Sequence, residues 1–232
     1  QRIDAPTEIV VADDGSRDGS AEVVAALAAE DPRIRLLRFE ANAGPAIRVN
    51  DAARAARGRW LHPVDGDDVP PPNAAAWLVA AAERTGAALV FGRSLRGLDP
   101  APIPQDAPVA AVPAPLAFAA RRQIARMGFL ARRDVWEAAG GADEGVFIQD
   151  QSLPLRLAAA AERLGAGMAW TDAVVYRLRP AGEGSLSRRR VQQSHDRFLS
   201  AARMLPQAEG AAAQALARMA LSSLWKLRRG RG

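Results

Sequence analysis

The chain contains no cysteine, which excludes disulfides, zinc-thiolate centres and thiol nucleophiles and fits a reducing compartment. No apolar run approaches the roughly 18 residues needed to cross a bilayer, so no spanning helix is expected. No signal peptide is visible, and the first residue is Gln1 rather than Met, so the chain is expected to start inside a longer one. Histidine occurs twice, as His62 and His195, too far apart for ligand spacing, and each reads as structural. Lysine is nearly missing as well. Lys226 is the single example, and arginine supplies the other basic groups.

What is present describes an ordinary globular protein. The 232 residues suffice for one large domain, or a domain with a small appendage, and are 49% hydrophobic and 25% charged. The net charge of +5 is unevenly placed. From Arg188 onward ten Arg and Lys face only Asp196 and Glu209, a balance of +8 that leaves −3 for residues 1–187. Such a tail is a solvated face or adds attraction to an anionic lipid surface. No groove-reading motif accompanies it, so nucleic acid is not expected as a partner.

Short apolar runs alternate with helical stretches. Glu8–Ala12, "IRLLRF" (34–39) and "AALVFGR" (87–93) read as strands. "SAEVVAALAAEDP", the segment from Asn42 to Gly58 and Asn73–Arg84 supply the helices between them. The spacing predicts an α/β layer with a mostly parallel sheet and helices on both faces. Residues 97–117 hold six prolines and are expected to form an irregular surface loop. "ARRDVWEAAGGADEG" and "DQSLPLRLAAAAERLG" read as helices, "AGMAWTDAVVYRLR" as a strand pair or one long strand. "PAGEGSLSRRR" reads as a flexible basic loop, and Gln192–Arg229 as a last amphipathic helical stretch.

Two strands run into carboxylates, "ADDGS" (12–16) and "VDGDD" (64–68). In open α/β sheets ligands bind beyond the carboxyl ends of strands, so these aspartates are expected at the mouth of a cleft. Mutually repelling carboxylates there suit a divalent cation such as Mg²⁺ or Mn²⁺, which prefers oxygen ligands. The plain alternative is turn chemistry, because Asp-Gly favours turns. An EF-hand loop does not fit: Pro70 stands at the required glycine and Ala76 at the bidentate glutamate.

Five segments, in order, resemble glycosyltransferase family 2, the inverting enzymes of the GT-A fold. They are "VVADDGSRDGS", "NAGPAIRVN", "ARGRWLHPVDGDD", "GGADEGVFIQD" and "VVYRLRPAGEGSLS", across roughly residues 8–190. The departures are specific. The family's first strand, its nucleoside loop and its first helix would precede Gln1; Gln149 replaces the Glu of a Glu-Asp pair; Arg179 replaces the His of Tyr-Arg-x-His.

The resemblance implies a GT-A-like, Rossmann-type single domain. Residues 1–95 would form the nucleotide-sugar half, 96–190 the acceptor and catalytic half, and 191–232 a basic amphipathic helical segment. Asp67 would ligate the metal, and Asp65 would approach the ribose or bind the metal through water. Asp13 would recognise the base or ribose, with Asp14 and Ser16 merely shaping the turn. Arg48, Arg177 and Arg179 would face the donor, although the last two could equally form surface salt bridges. Asp150 would be the general base; a helix N-cap is the competing account. Trp136 or Trp170 could offer a sugar platform, though core is their default.

The expected activity is therefore inverting sugar transfer from a nucleotide-diphosphate sugar, UDP-linked by commonness in the family. The acceptor would be a saccharide or lipid-linked saccharide, at the inner face of a bacterial plasma membrane. Residues 212–231 offer peripheral contact with anionic lipid. The alternatives are an inactive GT-A-like binding module and a nucleotidyltransferase, the latter lacking its glycine-rich basic phosphate loop.

Overall fold

Ile9–Asp13 (β1) is β-branched and apolar until its last residue, and it pairs in parallel with Ile34–Arg38 (β2), Ile9 opposite Ile34 and Asp13 opposite Arg38. The helix between them, Ser20–Glu30 (α1), starts where Asp18 accepts the N–H and hydroxyl of Ser20. Pro45 occupies the first turn of the next helix, Pro45–Ala55 (α2), where its missing N–H costs nothing. The computed structural model describes residues 5–97, 101–124, 127–180 and 189–229.

A second, five-stranded sheet holds the core. Its strands are Trp60–Leu61 (β3), Leu89–Arg96 (β4), Ala110–Ala111 (β5), Phe129–Arg132 (β6) and Met168–Leu178 (β7), in the order β3-β6-β4-β7-β5. Leu89, Val90 and Phe91 are all fully buried, so both faces of central β4 are covered. Ala74–Thr85 (α3) and Leu153–Arg163 (α6) pack on β4 and β7. Pro115–Arg122 (α4) and Arg133–Ala139 (α5) lie against α6.

The α/β layer is as expected, but its sheet is mixed. β1–β2 and β4–β7 are parallel, whereas β3–β6, β4–β6 and β5–β7 are antiparallel. The antiparallel members are short pieces that the sequence hides. β6 passes directly into α5 between Arg132 and Arg133, so its last two residues, Ala131 and Arg132, read as the start of a helix. β5 sits inside the proline-rich segment expected to be wholly irregular, and α4 begins there too. β7 is one long strand.

The last helical stretch is two helices, Arg190–Met204 (α7) and Gly210–Arg229 (α8). Pro206 and the left-handed Gly210, with φ of 51°, interrupt it. The halves expected to meet at residue 95 are structurally interleaved, since β3 and β4 share a sheet with β5, β6 and β7.

Candidate active site

The first acidic segment is mostly self-contained. Asp13 is 8% exposed at the end of β1, and its Oδ2 accepts the N–H of Ser16 at 3.2 Å. Asp14 reaches the start of α2, accepting the N–H groups of Ala43 at 2.7 Å and Gly44 at 2.8 Å. Burial pulls its carboxyl upward, but those N–H groups and Arg48 outweigh it and hold the carboxyl below its ordinary value. Arg48 donates to Asp14, Asp51 and the carbonyl of Ala41, and lies 3.7 Å from the ring centre of Phe39. Its guanidinium is thus committed to bracing the turn against α2. Asn50, also on α2, is buried and exchanges two hydrogen bonds with the backbone of Ala142, tying α2 to the GGADE segment.

The second segment gathers groups from three parts of the chain. After β3 the backbone turns at Asp65, whose carbonyl accepts the N–H of Asp68 at 3.0 Å. The N–H of Asp65 donates to the Tyr176 hydroxyl at 2.8 Å, and Tyr176 in turn hydrogen-bonds the Asp68 carboxylate. Burial first, and then the charge of Asp65, push the Tyr176 phenol far upward, so it stays protonated and able to donate. Val69 bridges to Arg177, and Asp68 Oδ1 accepts the Arg179 N–H at 2.8 Å. The end of β7 is thereby fastened alongside DGDD. Arg177 Nε is buried with no hydrogen-bond partner among the described residues.

The third part is a single 3-10 turn, Gln149–Gln151. Gln149 is buried and donates Nε2 to Asp65 Oδ1 at 3.1 Å. Asp150 is half-buried and accepts from Gln151 Nε2 at 3.0 Å. The N-cap of α6 is Ser152, so Asp150 does not cap that helix. Burial, and then the charges of Asp150, Asp68 and Asp67, push the Asp65 carboxyl up to about 7. Asp67 stands exposed at the tip of the turn.

The structure therefore brings Asp65, Asp67, Asp68 and Asp150 together and sets Arg177 and Arg179 beside them. Asp13 stands at the end of β1, in the separate two-stranded sheet. Arg48 is directed elsewhere, and Ser185 and Ser187 lie outside the described residues. Trp136 packs against Phe129 in the core, and Trp170 sits toward the opposite end of β7 beside Phe118. His62 Nδ1 lies 2.7 Å from the Phe129 carbonyl, a tie between neighbouring strands. A cavity of about 490 Å³ opens elsewhere, lined by Asn50, Arg54, Trp136, Glu144 and Arg156, and includes none of the clustered aspartates.

A divalent cation fits the carboxylate cluster. Among the described residues no three acidic or histidine side chains are already close enough to chelate one. Mg²⁺-type ions are commonly held by one or two carboxylates plus substrate phosphates, without an all-protein cage. Burial first, and then the charges of Asp150, Asp68 and Asp67, disfavour the ionised form of Asp65, and a cation there would favour it. Tyr176 and Asp68 were missed as functional residues; the Tyr-Arg pair flagged the region without indicating what the phenol holds.

The family model described as glycosyl transferase family 2 matches residues 2–105. Over those residues the chain is similar to that family. The succinoglycan biosynthesis protein ExoO of Rhizobium meliloti is 38% identical over 98 residues, 38% of this chain and 28% of that protein. Staphylococcus aureus TarS superposes with a TM-score of 0.68 at 16% identity, covering 99% of this chain and 66% of the other. The mannosyltransferase PcManGT of Pyrobaculum calidifontis, solved with GDP-Man and Mn²⁺, gives 0.65 at 19% identity, covering 95% and 63%. The fold is thus the GT-A glycosyltransferase fold across nearly the whole chain. The matched stretch spans under a third of ExoO, and the chain spans less than two thirds of PcManGT.

Proposed function

We propose that the protein is a metal-dependent, inverting glycosyltransferase that moves a sugar from a nucleotide-diphosphate sugar, most simply a UDP-sugar, to an acceptor hydroxyl. One observation carries the reading: Gln149 meets Asp65, so the DGDD turn and the Asp150 turn form one acidic site, flanked by Arg177. In this reading Asp150 accepts the proton of the acceptor hydroxyl as its oxygen attacks the anomeric carbon. The new glycosidic bond forms as the bond to the diphosphate breaks, and the nucleoside diphosphate leaves. Asp67, with Asp65, would hold Mg²⁺ or Mn²⁺, which supplies Lewis-acid stabilisation of the diphosphate. Arg177 and Arg179 add forked donors to the same phosphates. Asp13, at the end of the neighbouring sheet, is assigned to the nucleoside.

Residues 1–95 would serve the donor and 96–190 the acceptor, a saccharide or lipid-linked saccharide of a bacterial surface polysaccharide or glycolipid. No helix among the described residues is long and apolar enough to cross a membrane. Peripheral placement at the inner face of the plasma membrane is instead assigned to α8. That helix has no acidic residue, and it exposes Leu221, Leu224 and Trp225 beside Arg218, Lys226, Arg228 and Arg229.

The test uses the full-length protein, a panel of nucleotide sugars and Mn²⁺, following release of nucleoside diphosphate. Asp67→Ala and Asp150→Asn should each reduce turnover by about 10³-fold or more while the fold persists. Wild-type turnover in either variant rejects the mechanism; pyrophosphate as product would indicate a nucleotidyltransferase.

A further inference from the structure

We infer that Asp196 and Arg197, on α7 and outside every motif above, are positioning residues for the turn that carries Asp150; this rests on Asp150 being the base. Asp196 is 1% exposed. Its Oδ2 accepts the N–H of Ile148 at 2.8 Å. Its Oδ1 accepts Gln192 Nε2 at 2.7 Å and lies 3.1 Å from His195 Nδ1. Burying a carboxylate is costly unless hydrogen bonds replace its water, and here the replacement includes one backbone N–H just ahead of the acidic turn.

That N–H needs a partner. Ile148 stands at the N-cap position of a three-residue 3-10 turn, and the first donors of any helix have no partner within it. Asp196 supplies the acceptor from a separate helix, 48 residues further on. Arg197 secures the other end. Its Nε donates to Gln151 Oε1 at 3.1 Å, and Gln151 Nε2 donates to Asp150 Oδ1 at 3.0 Å. Its Nη1 lies 3.3 Å from Oε1 of Gln123, which ends α4 in the left-handed region with φ of 49°. The turn is therefore fixed before and after Asp150 by consecutive residues of α7. A base must be aimed as well as ionised, because small misplacements of a catalytic group cost large factors in rate.

The experiment uses the full-length protein with four measurements: kcat, donor KM, calorimetric affinity for UDP with Mn²⁺, and hydrogen exchange at Ile148. Asp196→Ala should lower kcat about 10- to 100-fold, with KM and UDP affinity changing by less than about 3-fold, the signature of a misaimed base. Exchange at Ile148 should accelerate. Asp196→Asn keeps an acceptor oxygen, so it should restore kcat to within about 3-fold of wild type and slow the exchange again. If Asp196→Ala does not fold, Arg197→Ala carries the same expectation for kcat against UDP affinity. Unchanged kcat in the folded variants, or parallel loss of kcat and UDP affinity, overturns the proposal. Asp150→Asn with full turnover would overturn the base assignment instead, and exchange at Ile148 would then still show whether Asp196 holds the turn.

Discussion

Gln149 donates its side-chain amide to Asp65 across 84 positions of sequence, at 3.1 Å. A neutral donor there lowers the Asp65 carboxyl, while burial first, and then the charges of Asp150, Asp68 and Asp67, raise it. Gln149→Glu would set a second carboxylate against the first, and like charges at hydrogen-bond distance cannot both ionise freely. In chelator at pH 8 the variant should be less stable than wild type by about 1–3 kcal/mol, and added Mn²⁺ should recover part of the loss. Urea unfolding in both buffers checks this. Equal stability in chelator would show that the amide contact does not matter.

Asp65 itself gives a pH signature. Its carboxyl is raised from 3.8 in a free side chain to about 7 in the fold. Between those values the unfolded chain has released the proton and the folded protein retains it, so stability falls as pH rises from about 4 to about 7 and then levels. Asp65→Asn removes the charge and keeps an oxygen for Gln149. The variant should gain stability over wild type, little near pH 4 and about 2–4 kcal/mol near pH 8 without metal, because holding the proton one pH unit longer corresponds to about 1.4 kcal/mol. Its UDP affinity in Mn²⁺ should fall. A stability difference constant from pH 4 to pH 8 would refute the raised carboxyl.

The strand ends and their carboxylates were legible because period and punctuation are local: Val10–Asp13 and Asp65–Asp68 need no distant partner to be noticed. Strand direction was not. β6 enters the sheet antiparallel through pairings with β3 and β4 that only the assembled fold defines. Arg48 illustrates the same limit at the site. The family resemblance turned it toward the donor, yet Asp14 and Asp51 enclose it, and that geometry depends on how the DDGS turn docks on α2. Tyr176 and Asp196 act through backbone N–H groups of residues 65 and 148, and a sequence pattern carries no sign of such partners.

Gly141 is held with φ of 66° against Asn50, and a Cβ there would lie 2.3 Å from Asn50 Oδ1. Gly141→Ala therefore meets both left-handed backbone strain and a displaced buried amide. A cost of about 2–4 kcal/mol in unfolding free energy is expected. Combined with Asn50→Ala it should cost clearly less than the sum of the two single changes, because both act on one junction between α2 and the GGADE segment. Strict additivity in the double-mutant cycle would disconnect them.

The end of α8 supplies the last test. Leu221, Leu224 and Trp225 are 66%, 43% and 55% exposed, and Arg229 lies 3.9 Å from the ring centre of Trp225. An amphipathic helix of this kind inserts its aromatic and aliphatic side chains at the lipid headgroup boundary, while arginines meet anionic phosphates. Vesicles containing anionic lipid should bind the protein more tightly than neutral ones, and the difference should shrink as salt rises. Trp225→Ala should weaken binding to anionic vesicles by about 10-fold, the apolar contribution of one large side chain. Replacing Arg228 and Arg229 by Gln should instead abolish the preference for anionic over neutral lipid. Equal sedimentation of wild type with both vesicle types, or no effect of either change, would mean that this face meets something other than a membrane.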